Sequence, residues 1–419
     1  MPMDFSARAK EARDKAYATK LEDFQIASNA IFQNDTLWPW FERLRAEDPV
    51  HYTPNSEFGP YWSVTKHKDI IAVDSNHRVF SSDSELGGIT IFDGYQSRRQ
   101  SSFISLDPPD HDKQRKVIAP MFAPDSLAKL EPLIRERAAK ILDELPRGVP
   151  FDFVDKVSVE LTSQMLATLF DFPFEQRRTL PRCSDLLLTI PGPGQIVETP
   201  EQQQMELFMI LGQFVPMWNE RLAAPPAHNL ISMLAHHEAT RRDAPEEYFG
   251  NIILLIVAGS DTTRHSITGG LWALNQNPDQ YAKLRANPAL IESMIPEVIR
   301  YQSPVAHMRR TVMEDIEIGG KLIRRGEKMI MWYVSGNRDE EAIDRPNEFI
   351  IDRERPRQHV SFGFGIHRCV GMRLAEMQLR IMWEEILKRF PRIDVIEEPK
   401  RMNSNFVKGY DAMMVQIPN

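Results

Sequence analysis

Residues 362–371 read FGFGIHRCVG and hold Cys369, one of only two cysteines in the 419-residue chain. Gly363, Gly365 and Gly371 let the backbone come close to something bulky. Just downstream, MRLAEMQLRIMWEEILKRF, from Met372, has the spacing of a strong helix. A helix starting there aims its unpaired N–H groups and the positive end of its dipole at the Cys369 sulfur, which favours thiolate over thiol. Such a thiolate, capped by Phe362, suits the axial position of a large flat metal cofactor. Three plainer readings stand beside it. A lone cytosolic cysteine is commonly a buried structural residue. A nucleophile is left open by the local residues. A zinc site fits poorly, because His367 supplies at most one more ligand and no second cysteine is near.

Hydrophobic residues make up 42% and charged residues 26% of the chain, as in a folded protein with a sizeable core. A net charge of −8, from 51 basic and 59 acidic residues, argues against nucleic acid or an anionic membrane as the main partner. Cys183 and Cys369 cannot form a disulfide framework, so a reducing compartment, the cytoplasm, is expected. The N-terminal MPMDFSARAKEARDKAYATKLEDF lacks the apolar stretch of a signal peptide and reads as an exposed helix or tail, within an extension over 1–36. The longest purely apolar run, Ile252 to Ala258, falls far short of the ~20 residues that a membrane span requires, so neither an anchor nor insertion is expected.

From Leu37 the pattern predicts a short helix, a small β-element and another helix. Residues 83–109 are irregular and rich in Gly, Ser and Gln, with an apolar island at Ile89, Ile91 and Phe92, which marks a candidate binding loop. Between His111 and Glu247 the spacing predicts helices joined by Pro-marked loops. Asp243 and Pro245 suit a helix start, and the pattern then runs to Asn277 before Pro278, giving a helix of ~30 residues and ~45 Å. Further helix is predicted over 288–301 and short strands over 316–331, with turns at Gly319, Gly320 and Gly326. A Pro- and Arg-rich meander, DRPNEFIIDRERPRQ, precedes the cysteine loop, and a strand-like tail follows the last helix. With no internal repeat and no Gly/Ser linker, the simplest organisation is one mainly α domain over 1–419 with a smaller β portion.

The long helix breaks its apolar run at Gly259, Ser260, Asp261, Thr262 and Thr263. Leu254, Leu255, Ala258, Asp261 and Thr262 share one face that turns from apolar to polar, which suits a cavity wall. Taken alone, the same face reads as hydroxyls bonded back to helix carbonyls.

Phe362, Gly365, His367, Cys369 and Gly371 spell F-x-x-G-x-H-x-C-x-G, and on that motif the chain resembles the cytochrome P-450 superfamily, whose haem-binding signature this is. The resemblance implies haem b (iron protoporphyrin IX) between the long central helix and the cysteine loop, with Ala258 beside it and Cys369 as the fifth iron ligand, whose electron donation favours O–O cleavage. AGSDTT, from Ala258, resembles the family's oxygen-activation motif, which implies that Thr262 hydrogen-bonds dioxygen and Asp261 relays protons inward. His111 and Arg115 match the family's H-x-x-x-R, Arg310 its downstream arginine, with Arg309 as a rival, and His367 a further contact; these would hold the haem carboxylates. Glu297, Arg300 and Arg353 match a structural brace on the cysteine side.

A narrower resemblance, to the bacterial terminal alkane hydroxylases, rests on SFGFGIHRCVGMRLAEMQLRIMWEEILKRF, SNFVKGYDAMM and DTTRHSITGG. It implies insertion of one atom of O2 into the terminal C–H bond of a medium-chain n-alkane, a fatty acid or an alcohol. Electrons would come from a ferredoxin and its NAD(P)H-dependent ferredoxin reductase, docking beside Arg368 and Arg373. Ile89, Ile91, Phe92, Leu254, Leu255, Ala258, Val305, Met308, Phe406 and Val407 are the expected substrate contacts. A narrow apolar channel would present the primary C–H bonds and hold the weaker internal ones away. The alternatives are the same chemistry on a terpene, a sterol side chain or a secondary metabolite, and a haem-based sensor. Asp261 and Thr262 speak against the sensor, since binding alone needs no proton relay.

Overall fold

The computed structural model describes residues 3–93, 100–242 and 244–419. Its longest element is the central helix, Pro245–Gln276, of 32 residues. The helix opens on Pro245, whose missing N–H costs nothing in the first turn, and on Glu246 and Glu247, which complement the helix dipole. It closes at Asn277, where Pro278 begins the next helix. Asp243, expected at its start, lies outside the described residues.

Around this rod pack the helices Glu160–Phe170, Thr179–Leu188, Ile291–Gln302 and Met372–Arg389. Between them lies the largest hydrophobic core, with Phe153, Phe170, Phe214, Trp218 and Trp383 fully buried. Burial on this scale supplies the main driving force for folding.

Beside the helices stands a five-stranded sheet formed by β1 (Val50–Thr53), β2 (Tyr61–Val64), β3 (Phe80–Ser81), β4 (Met308–Val312) and β5 (Lys328–Met331), in the order β1-β2-β5-β4-β3. Only β2 and β5 run parallel, with Trp62 opposite Met329. In β4 the two-residue period sends Met308 and Arg310 to the helical side, and Arg309 and Thr311 to the other. The chain is thus mostly helical with a smaller sheet portion, as the sequence predicts.

Three local features differ from expectation. The N-terminal stretch is the helix Ser6–Ala18, one of its two expected states and exposed along most of its length, but docked rather than free: Ala12 and Ala16 are small enough to bury against the helix Trp38–Glu47. Phe5 lies 5.9 Å from Trp272 of the central helix, and Arg8 pairs with Glu398 at 2.6 Å. Second, Phe151–Asp152 forms a strand against Met414–Gln416, and Val154–Val159 is π-helical, where only α-helix is predicted. The partner strand is more than 250 residues away in sequence, so local periodicity carries no trace of it. Third, 84–86 form a short 3-10 turn within the supposedly irregular segment. Among the described residues no helix is long and apolar enough to cross a membrane.

Candidate functional site

The cysteine loop leaves a short 3-10 turn, Gly365–His367, and enters the helix Met372–Arg389. Gly363 (φ 66°) and Gly365 (φ 64°) occupy the left-handed region, and a Cβ on Gly365 would stand 2.6 Å from the Asp74 carbonyl oxygen. Gly371 has φ −86°, open to any residue, and a Cβ there would meet only ordinary contacts. Of the three glycines, only Gly363 and Gly365 occupy backbone conformations that other residues rarely adopt. The Cys369 N–H donates to the Phe362 carbonyl at 2.9 Å, closing the loop.

Cys369 is enclosed by protein on its loop side, yet it is exposed, because the open face of its sulfur lines the cavity. Burial pushes its thiol above the usual range; N–H groups of Gly371 and Met372, with Arg115 and Arg368 nearby, pull it back only in part. The backbone donors expected to favour thiolate do act, but burial outweighs them, and a bound cation would have to supply the rest. Among the described residues no three His, Cys, Asp or Glu side chains converge as metal ligands, which removes the zinc reading.

Ala258 and Thr262 of the central helix line the same cavity as Cys369. The space is about 1810 Å³ including its mouth. Ile89, Leu254, Leu255, Val305, Met308, Phe406 and Val407 all line it. Ile91 and Phe92 do not. Ile91 is fully buried in a separate cluster with Phe58 and Trp332, and Phe92 packs edge-on against Phe58 at 5.0 Å with nearly half its surface exposed. The cause is a pair of cations behind the loop: Lys328 Nζ donates to the Ile91 carbonyl at 3.0 Å and Arg309 Nη1 to the Phe92 carbonyl at 3.3 Å, turning this stretch away from the cavity. Phe103, Ile104, Leu166, Leu169 and Leu230 also line the space. Helical spacing at Leu166, Leu169 and Leu230 signals only that they are buried, not what they face, and Phe103 and Ile104 lie in the segment read as irregular.

On the central helix, Thr262 Oγ1 donates back to the Ala258 carbonyl at 3.0 Å, so its lone pairs remain for a cavity donor. Asp261 is fully buried; its Oδ2 accepts from Ser184 Oγ at 2.6 Å and its Oδ1 lies 2.8 Å from Arg264. Arg264 in turn reaches Asp185 at 2.5 Å, a residue about one-third exposed. Burial pushes the Asp261 carboxyl up to about 6 against the pull of Arg264, which brings proton exchange close to neutral pH. Arg264 is visible in the sequence only as an i,i+3 neighbour of Asp261, and Ser184 not at all.

At the opposite rim, Arg115, Arg310 and His367 line the cavity. Arg115 donates to the Arg368 carbonyl, and Arg310 Nη2 to Asp74 Oδ1 at 2.6 Å. Arg309 points away, to the Leu86 carbonyl and Asp93, so of the two arginines only Arg310 lines the cavity. The His111 and His367 rings meet edge to face at 4.4 Å. Burial lowers both imidazoles, and His111 Nε2 and both ring nitrogens of His367 are buried without a partner among the described residues. Orphaned donors beside two guanidiniums are the surroundings a pair of carboxylates requires. One sulfur for iron, two cations and two histidines for carboxylates, and an apolar gap between them fit haem.

Behind the loop, Glu297 and Arg300 are wholly buried and paired at 2.7 Å, and Arg353 Nε reaches Glu297 at 3.0 Å. Arg300 also donates to the carbonyls of Asn337 and Pro346, at 2.8 and 2.7 Å.

Residues 228–410 match the family model described as cytochrome P-450. Linalool 8-monooxygenase of Pseudomonas putida is 38% identical over 90% of this chain and 94% of its own. Steroid C26-monooxygenase of Mycolicibacterium smegmatis is 32% identical over 87% of each. The solved structure of CYP153D17 from Sphingomonas sp. PAMC 26605 superposes with a TM-score of 0.87 at 42% identity, covering 96% of this chain and all of that one. The chain belongs to the cytochrome P-450 family and is a monooxygenase that uses haem b. Bound haem supplies the activation of O2, and the protein supplies binding, orientation and protons.

Proposed function

We propose that this enzyme hydroxylates the terminal carbon of medium-chain n-alkanes, or of fatty acids or alcohols of similar length. The observation that carries the reading is the chamber over Cys369, walled by Leu254, Leu255, Val305, Met308, Phe406 and Val407. Such walls exclude water and offer an unfunctionalised chain nothing but shape, so position rather than bond strength selects the carbon attacked. The resemblance to terminal alkane hydroxylases and the similarity to CYP153D17 support it.

In this reading Cys369 holds the haem iron, and His111, Arg115, Arg310 and His367 hold its carboxylates. Phe362, Gly365 and Gly371 shape the loop beneath, and Ala258 leaves room above. Thr262 Oγ1 accepts a hydrogen bond from the cavity, and Asp261 carries protons towards it from Ser184 and the partly exposed Asp185. A ferredoxin, reduced by its NAD(P)H-dependent reductase, docks at the exposed Arg368 and Arg373. The chain acts as a single domain in the cytoplasm. A second reading, a terpene alcohol as substrate, is favoured by the 38% identity to linalool 8-monooxygenase.

With a surrogate ferredoxin system, n-alkanes, fatty acids, linalool and a sterol are each incubated and the products identified. Primary alcohols from linear chains are expected. Internal alcohols alone would overturn the proposal, and turnover of linalool with none of the alkanes would establish the second reading.

A further inference from the structure

Asp74 ends the helix His67–Ser75, far in sequence from every motif, yet it is 2% exposed. Its carboxylate makes three hydrogen bonds to three separate parts of the chain. Oδ1 accepts from Arg310 Nη2 at 2.6 Å; Oδ2 accepts from the Phe364 N–H at 2.7 Å and from the Tyr333 hydroxyl at 3.0 Å. The two ions are 3% and 1% exposed. Arg310 is further steadied by donating Nη1 to its neighbour's carbonyl, that of Arg309, at 2.7 Å. The loop is moulded to this carboxylate: a Cβ on Gly363 would approach Oδ2 to 3.0 Å, and one on Gly365 would strike the Asp74 carbonyl.

One buried anion therefore ties the arginine at the cavity rim to the turn that carries Cys369, five residues beyond Phe364. We propose that Asp74 is a positioning residue for the cofactor, setting the aim of Arg310 and the height of the cysteine loop together while offsetting the Arg310 charge. The proposal rests on the reading that Cys369 ligates haem iron with Arg310 at a haem carboxylate.

Asp74→Asn is nearly isosteric but cannot keep all three bonds. If its oxygen serves Arg310, its amide N–H groups face the Phe364 N–H, donor against donor; if it turns, Arg310 Nη2 loses its acceptor. The loss of a buried negative charge should favour the ferrous state. Purified holoenzyme is read in three ways: the haem reduction potential, the rate at which the thiolate-type carbon monoxide band of the reduced protein converts to the blue-shifted form, and the melting temperature. Asp74→Asn is expected to raise the potential and to speed conversion roughly tenfold, as loss of a charge-assisted hydrogen bond implies. Tyr333→Phe, which removes one bond and no charge, should leave the potential at the wild-type value. Asp74→Glu, with the charge kept but displaced, should convert faster at nearly unchanged potential, and it tests the geometry should the Asn variant not fold. If either Asp74 variant has a lower melting temperature but wild-type potential and conversion rate, Asp74 merely packs and the proposal falls. If the wild type itself lacks the thiolate band, the underlying reading fails instead.

Discussion

Asp261 sits where a carboxylate is expensive, fully buried with a hydroxyl and one guanidinium for company. Its raised value, about 6, means that the protonated fraction falls as pH climbs from 5 to 7. A proton-delivering Asp261 thus predicts that coupling, measured as product formed per NAD(P)H consumed, declines through that window. Asp261→Asn should flatten this limb and cut turnover by roughly 10²-fold. Thr262→Ala removes the hydroxyl that is back-bonded to the Ala258 carbonyl without opening the cysteine loop. Haem content should stay at the wild-type level while more of the consumed electrons appear as peroxide.

At the scale of elements, the meander 344–358 is tied to the helix Ile291–Gln302 through Glu297. Glu297 accepts from Arg300, from Arg353 and from the Ile350 N–H at 2.9 Å. Burial alone would raise it, but these donors, Arg300 foremost, hold it below the ordinary carboxylate range. A depressed carboxyl stabilises the fold above its unfolded value and loses that contribution as pH falls through the folded one, so acid unfolding should begin below about pH 4. Glu297→Gln strands two buried guanidiniums and should cost about 3–5 kcal/mol in denaturant unfolding of the protein.

The same elements show what could be read in advance. The central helix was legible to within a residue or two because Pro245 suits its start and Pro278 stops the helical pattern after Asn277. The cysteine loop was legible because few residue types tolerate positive φ, and glycines at 363 and 365 announce it. Ile91 and Phe92 were misread, since the cations that turn them away, Arg309 and Lys328, come from strands more than 200 residues distant. Asp74 and Ser184 were invisible for the same reason: each owes its place to partners that only the tertiary fold brings near.

For the molecule as a whole, Ala258, Thr262 and Cys369 line a cavity that a seated haem would fill. Ligands bound only by the native state stabilise it by mass action. Extracting haem should lower the melting temperature by several degrees, and amide exchange should accelerate at the cysteine loop and mid-helix more than in the sheet.

The N-terminal helix adds a practical consequence. Phe5 caps the far end of the central rod at Trp272, Arg8 clasps Glu398 near the other terminus, and Met3 also rests on the main core. Trimming the first eighteen residues as a dispensable leader would uncover a greasy patch and free the tail strands. A version shortened in this way should therefore clump on concentration.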